Sequence, residues 1–176
     1  MKDWLHVGVG RDDGLEAGEY SPIIYKPAIW QLEDSKTVWL SRTPDRPSKG
    51  WDAASTRILT IAVFMHYRKR KRVVAMNTHL DDQGGESRLQ AANIIVEQII
   101  FFADYSPSPG KLPVFLAGDF NSEPNQEVYN EMTSSKSTMA DLRLIVDRDN
   151  RYGDEYTFTG FKDSTRPQRI DFVLLN

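Results

Sequence analysis

Cysteine is absent from the 176 residues, which excludes disulfides and thiolate metal sites but leaves reducing and oxidising compartments equally open. Histidine is nearly as scarce. His6, His66 and His79 stand in unrelated contexts, too scattered for the Cys/His clusters that zinc prefers. Long apolar runs are missing as well: none exceeds five residues, the length of IIFFA at Ile99 to Ala103, against the roughly 20 that a membrane-spanning helix needs. The opening stretch MKDWLHVGVGRDDG holds no apolar h-region. Neither sign of charge dominates, with 22 Lys+Arg against 25 Asp+Glu and a net charge of −3. The total therefore calls for neither nucleic acid nor an anionic membrane as partner, and only a local basic patch could do so.

What is present reads as one domain, 1–176, without internal repeats or a low-complexity linker. A domain of this size buries about 70% of its unfolded surface, enough for a core of its own. Tyr20 to Lys26 (YSPIIYK) and Lys36 to Ser41 (KTVWLS) are strand-like. Arg57 to Tyr67 and Val73 to Leu80, rich in β-branched and aromatic residues around a short charged connection, predict an antiparallel hairpin. Ser87 to Tyr105 spaces its polar residues Gln90, Asn93, Glu97 and Asp104 at helical intervals, so a helix laid on a sheet is expected there, stopped by Pro107, Pro109 and Gly110. A strand through LPVFLAGD, a short helix at EPNQEVYNEMT, and strands at YTFTGF and RIDFVLL follow. Hairpins mixed with helices predict an α/β protein of two sheets packed face to face, helices outside.

The polar residues arrive at strand ends. LPVFLAGDFNSEP, Leu112 to Pro124, runs through an apolar segment into a glycine and then sets down Asp119, Asn121 and Ser122. Residues two apart on a strand point the same way, so Asp119 and Asn121 bring a carboxylate and an amide to one rim. NTHLDD likewise puts Asn77, His79 and Asp81 on one face. GEYSPIIY sets Glu19 just before a strand, and RIDF holds Asp171 in an apolar run, where a buried carboxylate needs a partner. Hard oxygen donors such as Asp119 with its neighbouring amide suit magnesium or manganese. Taken singly, each feature also has a plain structural reading. Asp-x-Asn before Ser-x-Pro can be an Asx turn capping a helix. His79 can be a hydrogen-bonded core residue, Arg57 the lining of a sheet edge, Asp171 an ion-pair partner, and RKRKR at Arg68 to Arg72 a solvated hairpin turn. Only the set, in its order, outweighs those readings.

That order, GVGRDDG…GEYSPIIY, SKGWDAASTRI, NTHLDDQG…SR, LAGDFNSEP and RIDFVL, resembles the endonuclease/exonuclease/phosphatase superfamily over nearly the whole chain. Secreted deoxyribonuclease, abasic-site endonucleases, deadenylases and inositol-phosphate phosphatases belong to it. GDFNSEP with NTHLD carries most of the likeness. The resemblance implies a four-layer α/β/β/α sandwich of two mixed sheets and metal-dependent hydrolysis of a phosphate ester by in-line attack of water, with Mg2+ or Mn2+ as cofactor. Carried over by position, Asp119 would contact the metal and the reacting phosphate, with Asn121 beside it at the metal site, bonding phosphate or the attacking water. His79 would touch a phosphate oxygen and be oriented by Glu19, Arg57 would steady the phosphate, and Asp171 would pair with a second histidine.

Full-length relatives also carry an upstream strand with an asparagine, then a metal-binding glutamate, and a downstream Ser-Asp-His segment, none of which occurs in this chain. The expectation is an incomplete sandwich, truncated at both ends, with open edges and weak turnover. A non-catalytic phosphate- or nucleic-acid-binding fragment of the same fold is the rival reading. A calcineurin-like metallophosphatase is disfavoured, because its Gly-Asn-His segment and further histidines are missing. Substrates stay open between nucleic acid and small phosphorylated molecules, since selectivity lies in loops. No feature calls for an obligate protein partner.

Overall fold

The computed structural model describes residues 3–105, 110–162 and 166–176. Eight strands, β1 (Leu5–Val7), β2 (Ile23–Tyr25), β3 (Trp30–Trp39), β4 (Ile58–His66), β5 (Arg72–His79), β6 (Val114–Asp119), β7 (Ala140–Asp141) and β8 (Asp171–Leu175), alternate with helices α1 (Gly85–Ala103), α2 (Glu127–Met132) and α3 (Leu142–Ile145). Six strands form one mixed sheet in the order β3-β4-β5-β6-β8-β7, and β1 pairs with β2 alone. Within the large sheet β5 and β6 run parallel and the other neighbours antiparallel.

β4, ILTIAVFMH, is buried along almost its whole length. That fits a strand covered on both faces, and its β-branched and aromatic side chains suit a packed pleat. On one face Leu59, Ile61 and Val63 of β4, Met76 of β5 and Leu116 of β6 meet Ala92, Ile95 and Ile99 of α1 in a single core. β1 and β2 lie across the other face. Asn77 Nδ2 donates to the Pro22 carbonyl at 2.9 Å, and the Tyr25 ring packs 4.9 Å from that of Phe64. Three of the four expected layers are thus present among the described residues: helices, the six-stranded sheet and a two-stranded sheet.

β5, α1 and β6 form a strand-helix-strand crossover, which brings the carboxyl ends of two parallel strands to one rim, the place where open α/β sheets bind ligands. The helix starts where a carboxylate can satisfy its free N–H groups. Gly84 before it has no side chain to offer. Asp52, from the loop ahead of β4, accepts instead from Ser87 N at 2.7 Å and Glu86 N at 3.3 Å.

The hairpin, the long helix and the strand through LPVFLAGD stand where the sequence places them. YTFTGF does not form a strand: only Phe158 bridges to Gln168, because Gly160 takes a positive φ of 78° and turns the chain away. The KTVWLS strand begins earlier, at Trp30, with a register shift between Leu32 and Asp34. The RKRKR run turns between β4 and β5 with Arg68 to Lys71 exposed. Its last member, Arg72, pairs with Glu33 at 2.6 and 3.0 Å. Pro107 and Pro109, expected to end α1, lie outside the described residues.

Candidate active site

Three neighbouring strands deliver one titratable side chain each to the same rim. His79 ends β5, Asp119 ends β6 directly beside it in the parallel register, and Asp171 opens β8 directly opposite Asp119. Alternation puts all three on the face away from α1. The close approach of β5 and β6 just before this row requires a glycine: a Cβ on Gly118 would sit 2.1 Å from the Thr78 carbonyl oxygen.

Glu19, 60 positions before His79 in sequence, comes down from the loop ahead of β2 and places Oε1 2.6 Å from His79 Nδ1. A carboxylate there accepts a hydrogen bond from Nδ1–H and orients the ring, leaving Nε2 to face the site. His79 Nε2 lies 3.6 Å from Asp119 Oδ2. Partial burial pushes the Glu19 carboxyl up, but the His79 hydrogen bond and the charges of His79, Arg11 and Arg57 outweigh it, and the group sits below its ordinary value. It is ionised at neutral pH, as an orienting carboxylate must be.

Asp119 shifts the other way. Burial raises it and the Asp171 carboxylate across the strand adds to the rise, against the opposing pull of the Asn121 amide, His79 and Arg57. Asn121 follows in a left-handed conformation, φ 45°, which asparagine tolerates better than most residues. That turn lets its backbone N–H donate to Asp119 Oδ1 at 2.7 Å and its Nδ2 donate to the Leu80 carbonyl at 2.9 Å. The local bond is the Asx turn anticipated as the structural alternative. Here it also fixes Asp119, leaving Oδ2 of the carboxylate and Oδ1 of the amide without a hydrogen-bond partner among the described residues.

Arg57 is buried. Its Nε points to Asp81 Oδ2 at 3.4 Å, its Nη2 donates to Asp82 Oδ1 at 2.9 Å, and its Nη1 is buried with no partner among the described residues. Its charge acts on both Glu19 and Asp119. An orphaned guanidinium nitrogen in this setting is a donor awaiting an acceptor, since an unsatisfied buried donor costs about 1–3 kcal/mol.

Two expectations need correction. Asp171 is not a buried carboxylate held by a partner: it is exposed and forms no ion pair among the described residues. The cause is that β8 begins at Asp171 and turns its odd positions outward. Asp81 does not share the rim face with Asn77 and His79. The strand ends at His79, so period-two alternation stops, and Asp81 turns inward to accept from the N–H groups of Ala54, Ser55, Gln83 and Gly84 at 2.8–3.1 Å. Nor, among the described residues, does one of the cavities hold the set. The rim is open, and the adjoining cavity of about 390 Å³ takes only Asp171 from it. Sequence reasoning missed that Asp81, with Asp82, holds Arg57, and it missed Arg11, whose Nη1 donates to Glu19 Oε2 at 2.9 Å. Their signal is faint, an Asp-Asp pair and a glycine-bounded arginine.

Among the described residues, no three His, Cys, Asp or Glu side chains gather as a metal cage. Mg2+ does not demand one, since it binds through one or two carboxylates, waters and substrate phosphate. Asp119 Oδ2 and Asn121 Oδ1 fit that sparse mode, and a cation would relieve the repulsion between Asp119 and Asp171.

No family model and no curated protein matches the chain. Solved structures do. A mannosyl-6-phosphatase from Bacteroides thetaiotaomicron VPI-5482 superposes with a TM-score of 0.88 at 32% identity, over 100% of this chain and 64% of that one. An endonuclease/exonuclease/phosphatase from Bacteroides vulgatus gives 0.85 at 33% identity, over 99% of this chain and 65% of that one. The catalytic domain of human Nocturnin, at 14% identity and a TM-score of 0.73, shares the fold, with 99% and 61% covered. This chain thus spans a little under two thirds of the length of the structures it matches.

Proposed function

By fold and sequence likeness the chain belongs to the endonuclease/exonuclease/phosphatase superfamily, and from that premise we propose that its rim is the reaction centre of a metal-dependent phosphoester hydrolase. The observation that carries the reading is the row of His79, Asp119 and Asp171 on three adjacent strands, with Glu19 2.6 Å behind the histidine. A phosphate resting on this row would accept from Nε2–H of a protonated His79, whose Nδ1–H stays with Glu19, and from Nη1 of Arg57 once that buried group turns toward the rim. Both contacts strengthen as negative charge develops on the phosphoryl oxygens, and each such donor is worth about 2.7–4 kcal/mol. Asn121 orients the phosphate or the attacking water, and Asp119 is the carboxylate of the metal site. Asp119 and Asn121 would hold Mg2+ or Mn2+, which supplies charge neutralisation when bound.

A small phosphorylated molecule suits the site better than nucleic acid. Glu19, Asp82 and Asp171 stand at or beside the rim with exposed or half-exposed carboxylates, whereas tracking a polyanion takes a surface of Lys and Arg. The basic turn after β4 lies at the far end of β5, a strand of eight residues, or roughly 23 Å from His79 at the usual rise. The activity named for the Bacteroides thetaiotaomicron neighbour makes mannose 6-phosphate the first substrate to try.

The test is release of phosphate from mannose 6-phosphate and of nitrophenol from p-nitrophenyl and bis-p-nitrophenyl phosphate, with Mg2+ or Mn2+. The expected result is metal-stimulated turnover that falls at least about 100-fold in His79→Ala. A second reading, phosphate binding without turnover, draws on the absence of a fuller metal cage among the described residues. Phosphate-induced shifts of His79 and Asn121 resonances without hydrolysis would favour it, and neither shifts nor hydrolysis would remove both.

A further inference from the structure

Glu19 has two oxygens, and both are engaged. Oε1 meets His79 Nδ1 at 2.6 Å, and Oε2 accepts from Arg11 Nη1 at 2.9 Å. The carboxylate cannot rotate without breaking one bond or the other. The segment joining the two residues is a closed ring rather than a free loop. Arg11 N–H donates to the Glu19 carbonyl at 3.2 Å, Gly10 N–H to Leu15 at 3.0 Å and Asp12 N–H to Ala17 at 3.0 Å. Asp13 Oδ1 accepts from the N–H groups of Leu15 and Ala17 at 2.7 and 2.9 Å. The ring closes so tightly that a Cβ on Gly10 would sit 2.3 Å from the Ala17 carbonyl oxygen. It is tied to the large sheet by Trp39 Nε1, which donates to the Arg11 carbonyl at 2.8 Å.

Arg11 accepts a cost in this place. Its Nε is buried without a hydrogen-bond partner among the described residues, and Asp12 Oδ1 stays 4.0 Å away, beyond hydrogen-bond reach. A half-exposed ion pair made for stability alone contributes little, less than a buried unsatisfied donor costs. The arrangement is better explained by what it does to Glu19, and through Glu19 to the imidazole.

We propose that Arg11 is a positioning residue: it pins the second oxygen of Glu19, so that the first holds the Nδ1 proton of His79 and Nε2 stays turned to the phosphate beside Asp119. The chain of contacts Arg11–Glu19–His79–Asp119 would then work as one unit. What His79 faces rests on the phosphoester hydrolase reading, whereas the contact chain itself does not.

The experiment combines imidazole and guanidinium NMR with kinetics on the full chain, comparing Arg11→Gln, Arg11→Lys, Glu19→Gln and the Arg11→Gln/Glu19→Gln double variant, with Asp12→Ala as a neighbouring control. In the wild type a slowly exchanging His79 Nδ1–H signal and restricted rotation of the Arg11 guanidinium are expected. Arg11→Gln should lose the Nδ1–H signal, Arg11→Lys should keep it, Glu19→Gln should free the Arg11 guanidinium, and Asp12→Ala should change neither. On mannose 6-phosphate Arg11→Gln should lower kcat/KM roughly tenfold, in the range seen for groups that orient a site residue, and add nothing in the Glu19→Gln background. Retention of the Nδ1–H signal in Arg11→Gln, or losses that multiply in the double variant, would overturn the proposal. If Arg11→Gln does not fold, the wild-type and Glu19→Gln guanidinium measurements decide: free rotation in the wild type rejects the inference. Should no form hydrolyse any phosphate while the NMR pattern holds, the hydrolase reading falls and the positioning role stands.

Discussion

Asp119 bears the tension of the site. Its carboxylate is partly buried and faces a second carboxylate, Asp171, across an antiparallel pair, an arrangement of like charges that sheets otherwise avoid. Its titration is raised for those two reasons. A carboxyl with a raised native value stabilises the fold only while protonated, so its contribution is lost as pH rises through that value and is a cost at neutral pH. Asp119→Asn removes the charge but keeps an oxygen for the Asn121 N–H. The expected outcome at pH 7 is a thermal midpoint higher by about 2–3 °C, about 1 kcal/mol for a domain of this size, together with loss of the proposed hydrolysis. The gain should shrink below the native titration of Asp119, where the wild type is itself protonated. Scanning calorimetry at pH 3 and pH 7 checks both parts, and a lower midpoint at pH 7 would remove the strain argument. Stability given up where chemistry needs it is a general feature of active sites.

Between the strands, two loops are held by carboxylates rather than by periodic structure, and here the sequence was hardest to read. β4, β5, β6, β8 and α1 were legible, because runs of five or more residues with β-branched content or a helical period leave a clear pattern. β7, α3 and the short 3-10 turn at Arg148–Asn150, two to four residues each, have no period to detect. The candidate residues were legible by motif, but Asp81 was misplaced, because alternation was carried one step past the end of β5. Burial would raise Asp81, yet the N–H groups of Gly84, Ala54, Ser55 and Gln83 outweigh it and hold the carboxyl well below its usual range. With a depressed native value, its stabilisation is present above the ordinary carboxylate range, about 3.9 for Asp, and is lost as pH falls below it. Asp81→Asn strips the charge from this loop and from Arg57, and should cost about 3 kcal/mol or more at neutral pH. The difference from wild type should narrow in acid. Urea midpoints from pH 3 to pH 7 measure this, and a constant difference across the series would mean that Asp81 acts by shape alone.

At the scale of the molecule, the two faces of the large sheet are unequal. α1 and α2 seal one face, where Leu59, Ile61, Val74 and Leu116 are fully buried or nearly so. On the other, β1 and β2 cover only part of the surface. Phe115 is 39% exposed, Val173 42% and Ile24 60%, and a cavity of about 540 Å³ opens between Trp4, Tyr25, Phe64, Ala75 and Phe115. The sheet edges are better protected than this face. β7 has two residues, and β3 carries Glu33, Asp34 and Lys36 along its ten, the charges and shortness that keep strands from pairing with strangers. Contact between copies should therefore run through the apolar face and not through edge pairing, since a contiguous apolar patch is what drives association. The chain by itself is expected to bind a hydrophobic dye at native pH and to self-associate as its concentration rises through the micromolar range. Phe115→Lys with Val173→Lys should abolish both at little cost in stability, because neither side chain is fully buried. Sedimentation velocity with dye titration on the two proteins is the check. Association that survives both substitutions, or that a charge reversal along β3 alters instead, would place the contact at the edge and leave the open face as ordinary surface.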